Sequence, residues 1–324
     1  MKKTIVIIFL TACMLLTASC GANKADEQSE ISEIVSVFSE EESGEAAVER
    51  DTLNLVALGD SIPRGYGLSA PDTQSFPAQV GTHFSGIYKN VDINNYAVDG
   101  MTSGELVELL KSNKAEMVSD ADVIMICIGA NNILRHAYEL LYVGNINAEA
   151  LFIAYAQFML GNKSNKAAAD ALSDYFGAVT EYAGSKEYTD KMEDGAEQLR
   201  ADIPIIISEI RSVNADALIY FTTIYNPYKG MNLSLQYVDN PFNLDDLSES
   251  FVGRINQVIN ESAEENEYNI CDIYTLFKND KGNNINSGIN IAGQNISYDP
   301  HPNLKGHTLI ADEYKKVITE DLAR

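Results

Sequence analysis

The stretch Asp122–Gly129 (DVIMICIG) has no polar side chain between its ends. A half-solvated antiparallel strand alternates apolar and polar positions, so a run that is apolar throughout suits a strand buried on both faces. It is the third of five short apolar runs: Asn54–Gly59 (NLVALG) is the first, Val91–Ala97 (VDINNYA) a less apolar second, Ala217–Thr223 (ALIYFTT) the fourth and Tyr268–Tyr274 (YNICDIY) the fifth. Helical patterns fall between them near residues 74–85, 103–113 and 247–265, with a closing one at 304–320. Apolar strands alternating with helices predict an α/β fold with a five-stranded parallel sheet covered on both faces. Residues 52–324 read as one such domain, with no internal repeat. The connection 133–216, between the third and fourth strands, is far longer than one crossover helix needs. Its apolar residues Leu151, Ile153, Tyr155, Phe158, Met159 and Leu160, then Tyr175 and Phe176, predict a helical insertion at a rim of the domain, where lids are found.

Charge and cysteine usage exclude several functions. With 23 Lys and Arg against 47 Asp and Glu, the 324-residue chain carries a formal charge of −24. It lacks the basic face that nucleic acid requires, and cannot dock on anionic lipid through charge. Four cysteines without a Cys-x-x-Cys pair exclude a zinc ribbon or a thioredoxin-like motif. Cys127 and Cys271 lie inside apolar strands, where an unpaired thiol behaves as a small hydrophobe. The oxygen-rich stretch Asp280–Asn286 lacks the spacing of a calcium-binding loop, and Gly59 starts neither a dinucleotide-binding nor a Walker loop. Neither a metal nor a cofactor is expected.

The first residues read as an export signal. Lys2 and Lys3 precede an uncharged apolar stretch, Thr4–Thr17, too short for a comfortable membrane span. It ends at Ala18-Ser19-Cys20, which resembles the lipobox of bacterial lipoproteins, and that resemblance implies a diacylated Cys20 as the mature N-terminus. Leu10-Thr11-Ala12-Cys13 is a second candidate, but it would leave a very short apolar region. Residues 21–51 set ten acids against two bases and predict a solvated tether. The expectation is an exported domain, a monomer, held by acyl chains at the outer face of the cytoplasmic membrane.

In a parallel α/β sheet, sites collect at the carboxyl ends of the strands. There the chain carries Gly59-Asp60-Ser61, then Val98-Asp99-Gly100, then Gly129-Ala130-Asn131-Asn132, and finally Asp299-Pro300-His301 before the last helix. A serine hydroxyl is a weak nucleophile until a base takes its proton, and neutral histidine suits that task near pH 7. Gly100 lets a backbone approach a reacting carbonyl closely, and Asn131 can donate an N–H. Asn132 is an alternative, although the spacing from Gly129 favours Asn131. Of the four histidines, His83 and His307 fall in helix patterns and His136 opens the insertion. His301 lies in the loop before the last helix, whose N-cap is read as Asn303.

With these four blocks in order, the chain resembles the GDSL, or SGNH, hydrolase family, whose fold is a flavodoxin-like three-layer α/β/α sandwich. The resemblance implies an ester hydrolase with Ser61 as nucleophile and His301 as general base. It implies an oxyanion hole from the amides of Ser61 and Gly100 and the Asn131 side chain. The orienting acid of the family stands three residues before the histidine, where this chain has Tyr298. Asp299 stands two before, so either Asp299 reaches the imidazole or the site is a Ser–His dyad. The implied substrates are esters of lipids or of acylated glycans. A lipid-tethered binding protein that keeps the fold without catalysis is the alternative.

Overall fold

The computed structural model describes residues 51–145, 147–161, 166–290 and 295–323. The signal, both candidate lipidation cysteines and all of the tether except Asp51 lie outside the described residues. The strands are β1 (Thr52–Gly59), β2 (Asn90–Asn95), β3 (Val123–Cys127), β4 (Leu218–Thr222), β5 (Asn232–Leu233), β6 (Phe242–Asn243), β7 (Asn269–Cys271), β8 (Gly288–Asn290) and β9 (Asn295–Ser297). Five of them form one parallel sheet in the order β2-β1-β3-β4-β7, as the apolar runs predict. Two antiparallel pairs, β5 with β6 and β8 with β9, stand apart from it.

Both faces of the sheet are buried. Leu53, Leu55 and Ala57 of β1 share one face with Val123, Met125 and Cys127 of β3, while Val56 and Leu58 share the other with Ile124 and Ile126. The first face is covered by α3 (Phe76–Phe84) and α11 (Leu304–Leu322), through Phe76, Val80, Ile310 and Tyr314. The second is covered by α4 (Ser103–Val118), α8 (Lys186–Arg211) and α9 (Leu244–Asn266), through Leu106, Leu110, Ile203, Ile206, Ile255 and Ile259. Each fully buried aliphatic side chain of this kind contributes about 1.5–3 kcal/mol. β2, the least apolar run, is an edge strand, with mostly exposed residues.

Local signals set the element ends. Thr102 and Glu105 form a reciprocal capping box at α4, and Asn303 caps α11 by accepting from the Gly306 amide at 3.1 Å. The run read as a strand over Tyr268–Tyr274 stops early, at Cys271. Asp272 accepts from the Thr275 amide at 3.1 Å and turns the chain into α10 (Ile273–Asn279). Within 133–216, α8 is the crossover helix of β3 and β4. The additional elements are a 3-10 segment (Tyr138–Asn145), α6 (Ala148–Leu160) and α7 (Ala167–Ala183). The sheet order reverses between β1 and β3, and a crevice for ligands opens at such a point.

Gly59 closes β1 at that point with φ +138°. A Cβ on it would lie 1.9 Å from the Cys127 carbonyl oxygen. We predict that Gly59→Ala lowers stability by about 3–5 kcal/mol, read by urea unfolding, because neither backbone can retreat from a core buried on both faces.

Candidate active site

Past Gly59, the Asp60 amide donates to the Cys127 carbonyl at 3.2 Å, and the chain turns into the short helix α1 (Ser61–Arg64). The Asp60 carboxylate caps this turn, accepting from the Ile62 amide at 3.0 Å. Ser61 is therefore held at the carboxyl edge of the sheet, nearly buried. Its Oγ lies 2.9 Å from His301 Nε2, and His301 Nδ1 lies 2.5 Å from Asp299 Oδ1. Asp299 reaches the imidazole despite standing only two residues away, because its Oδ1 also accepts from the His301 backbone amide at 3.1 Å and the chain folds back on itself. Burial works to raise the Asp299 carboxyl. The hydrogen bond and charge of His301 and a hydrogen bond from Asn286 overcome it, and the group lies below its ordinary value. An ionised Asp299 makes Nδ1 the donor and leaves Nε2 to accept from the Ser61 hydroxyl.

Residues distant in sequence brace this loop. Tyr225 donates to the Pro300 carbonyl at 2.7 Å, Tyr228 to the Tyr298 carbonyl at 3.1 Å, and the Asn286 amide to the His301 carbonyl at 3.0 Å. The Tyr66 ring lies against the imidazole, with centroids 4.5 Å apart. None of these four was identified from the sequence. A tyrosine pair just after an apolar run, at Tyr225 and Tyr228, was the available signal.

Asn131 stands in the first turn of α5 (Ala130–Ala137), lining the same cavity as Ser61 and His301. Its Nδ2 donates to the Met101 carbonyl at 3.1 Å and lies 3.4 Å from Asp60 Oδ2. Asn132 faces the other way. It is buried, donating to Ser103 Oγ at 2.7 Å and to the Gly195 carbonyl at 3.2 Å, and it accepts from the Ser103 amide. It therefore fastens α5 to α4 and α8, and only Asn131 is available to a ligand. Gly100 is exposed and outside the cavity lining, in a loop tied to the site at both ends. The Val98 amide donates to the Gly59 carbonyl at 3.0 Å, and the Met101 carbonyl accepts from Asn131. Gly100 adopts φ +78° with open space where a Cβ would be, so its requirement for glycine is conformational.

The other histidines are apart from this chain of bonds. His307 is fully buried, accepts from the Phe76 amide at 3.2 Å through Nδ1, and is held down to about 4, first by burial and then by the charge of His301. His136 pairs with Glu139 at 3.0 Å, and His83 packs edge-on against Phe84. From Ser61 and His301 an apolar cavity runs among Leu140, Val179, Met192, Leu244 and Phe251, so helices of the β3–β4 connection form much of its wall. Asp60, buried in its lining, is pushed up to about 7, above all by burial.

Asp60 and His307 act on stability with opposite signs. The folded-state value of His307 lies below the 6.5 of an unfolded histidine, so over that window the unfolded chain holds the extra proton and stability rises with pH. The value of Asp60 lies above the ordinary 3.8, so its contribution is complete at low pH and lost as pH rises toward 7. We predict that Asp60→Asn leaves a stability that climbs from about pH 5 to 6.5, and His307→Gln one that declines. Each slope reaches about 1.4 kcal/mol per pH unit by urea unfolding.

Residues 57–309 match the model of the GDSL-like lipase/acylhydrolase family. A relative from Bacillus subtilis (strain 168), the uncharacterized protein YpmR, is 24% identical over 322 residues, covering 97% of this chain and 93% of its own. Among solved structures, the lipase Lip_vut3 from a goat rumen metagenome superimposes with a TM-score of 0.52 at 15% identity, covering 82% of this chain and 96% of that one. Phospholipase A1 from Streptomyces albidoflavus gives 0.49 at 17% identity, covering 82% and 98%. With its five-stranded sheet, its serine and histidine at the switch point and a family match over most of its length, this chain belongs to the GDSL-like lipase/acylhydrolase family.

Proposed function

We propose that the protein is a serine carboxylic-ester hydrolase that acts outside the cytoplasmic membrane on esters with an apolar acyl chain. The observation that carries this reading is the unbroken series Ser61–His301–Asp299, whose first two members line an apolar cavity. In the reaction, His301 Nε2 takes the Ser61 proton as Oγ attacks the ester carbonyl, while Asp299 holds Nδ1–H and stabilises the imidazolium. The tetrahedral oxyanion accepts from the amides of Ser61 and Gly100 and from the Asn131 side chain. Collapse breaks the bond to the alcohol, which leaves with the proton from His301. Water, deprotonated by the same histidine, then releases the acid from Ser61.

The apolar cavity favours an acyl chain over an acetyl group alone, since a two-carbon acid would leave most of that surface unfilled. We expect Ser61→Ala to lower hydrolysis of p-nitrophenyl butyrate by at least about 10⁴-fold, and Asn131→Ala by about 10²–10³-fold. Asp299→Ala should cost on the order of 10²–10⁴-fold, whereas near wild-type turnover would mean a Ser–His dyad. The reading as a whole fails if hydrolysis does not depend on Ser61.

The anchoring proposal rests on the sequence of residues 1–20. Two or more acyl chains hold a protein durably, as each buried methylene adds about 0.8 kcal/mol. Cys20→Ser should therefore move the protein from the detergent phase to the aqueous phase on Triton X-114 partition of whole cells, with Cys13→Ser leaving it in the detergent phase.

A further inference from the structure

The cavity that begins at Ser61 is aliphatic and aromatic over most of its wall, with one buried exception that its packing does not explain. Tyr188, in the first turn of α8, lines the cavity and is fully buried. Its ring is wedged between Tyr182, with centroids 5.3 Å apart, and Phe251, at 5.6 Å. Its hydroxyl has no hydrogen-bond partner among the described residues. The other buried tyrosines of this lining contrast with it: Tyr175 donates to the Leu140 carbonyl at 2.8 Å, Tyr225 to Pro300 and Tyr228 to Tyr298. A buried hydroxyl without a partner forfeits its bonds to water and recovers nothing, which a folded chain avoids almost everywhere. A phenylalanine would fill the same space without that loss. Burial, and after it the charge of Glu139, pushes the phenol well above its ordinary value, so the group keeps its proton at neutral pH and offers a donor.

An occupant that is apolar along most of its length and carries one acceptor satisfies both the wall and this donor. We propose that Tyr188 is a specificity residue that recognises an oxygen on the acyl chain, so that the preferred substrates are esters of hydroxy- or oxo-substituted fatty acids. The inference rests on the reading of this cavity as the acyl site. A plain chain fills the cavity and leaves the donor unpaired in the complex, whereas an oxygenated chain pairs it. Discrimination then comes from the hydrogen bond that the oxygenated chain adds to a donor otherwise unpaired, and amounts to about tenfold or more.

The test uses matched p-nitrophenyl esters, a plain fatty acyl chain and the same chain bearing a hydroxyl or an oxo group at successive positions. The values of kcat/KM are compared for wild type and Tyr188→Phe, whose fold is checked by circular dichroism. The wild type should favour one oxygenated position by about tenfold or more, and Tyr188→Phe should abolish that ratio. In parallel, calorimetric titration of Ser61→Ala and of Ser61→Ala/Tyr188→Phe with the free oxygenated and plain fatty acids reads the preference without chemistry. A wild type indifferent to the oxygen at every position, or a ratio that survives Tyr188→Phe, overturns the proposal while leaving Ser61-dependent hydrolysis standing. If hydrolysis proves independent of Ser61, the esterase reading falls, and the calorimetric preference alone decides for or against Tyr188.

Discussion

The carboxyl ends of β1 and β3 approach so closely that no side chain fits between them, and the site is assembled on that contact. Gly59 lies against the Cys127 carbonyl, the Asp60 amide bonds to the same carbonyl, and the Gly59 carbonyl accepts from Val98. Three loops are thereby linked at the point where the sheet reverses direction: the turn bearing Ser61, the loop bearing Gly100 and the turn bearing Asn131. Beneath them the strands are buried on both faces, in a core dense enough that a displacement of one loop is resisted by all. A reacting group must be held within a fraction of an ångström of its partner, and a sheet edge of this kind holds it better than loops alone.

The fold was legible because the strands obey the simplest rule available. Asp122–Gly129 is apolar between its ends, and β3 is the centre of the sheet; Val91–Ala97 mixes polar residues, and β2 is one of its two edges. Legibility ended where a single capping residue competes with an apolar run, as at Asp272, which converts the end of an expected strand into a helix. Ser61 and Asn131 stood out because each follows a recognisable strand, and His301 because it lies in the loop just before the last helix. The reach of Asp299 was not decidable, since spacing alone does not show that the aspartate also accepts from the backbone amide of the histidine it orients.

What the sequence concealed are contacts between residues far apart along the chain. Tyr225 and Tyr228 follow β4, yet their hydroxyls hold the carbonyls of Pro300 and Tyr298. Tyr66 follows Ser61 by five residues and covers an imidazole 235 positions later. Local pattern offers no more than a tyrosine pair after an apolar run at Tyr225 and Tyr228 and nothing at Tyr66, because each is an ordinary tyrosine beside a turn. The difference between Asn131 and Asn132 has the same origin. Both open α5, and only the helix phase, fixed by the partners Ser103 and Gly195, sends one into the core and the other toward the cavity.

The electrostatic surroundings of His301 follow from burial acting on groups of opposite type. Burial suppresses charge whatever its sign, so Asp60 tends to keep its proton and His307 to lose one. Asp299, half exposed and bonded to the imidazole and to Asn286, escapes that suppression and remains an anion. In the proposed reaction a positive charge develops on His301 and a negative one beside Ser61. A charged His307 would oppose the first and a charged Asp60 the second. Burial therefore weakens both obstacles, holding His307 down to about 4 and Asp60 up to about 7, whereas Asp299, bonded to Nδ1, lies below its ordinary value. The polar residues are there for their hydrogen bonds, Asp60 capping the helix that begins at Ser61 and His307 accepting from the Phe76 amide, and burial lessens the charge that would otherwise accompany them.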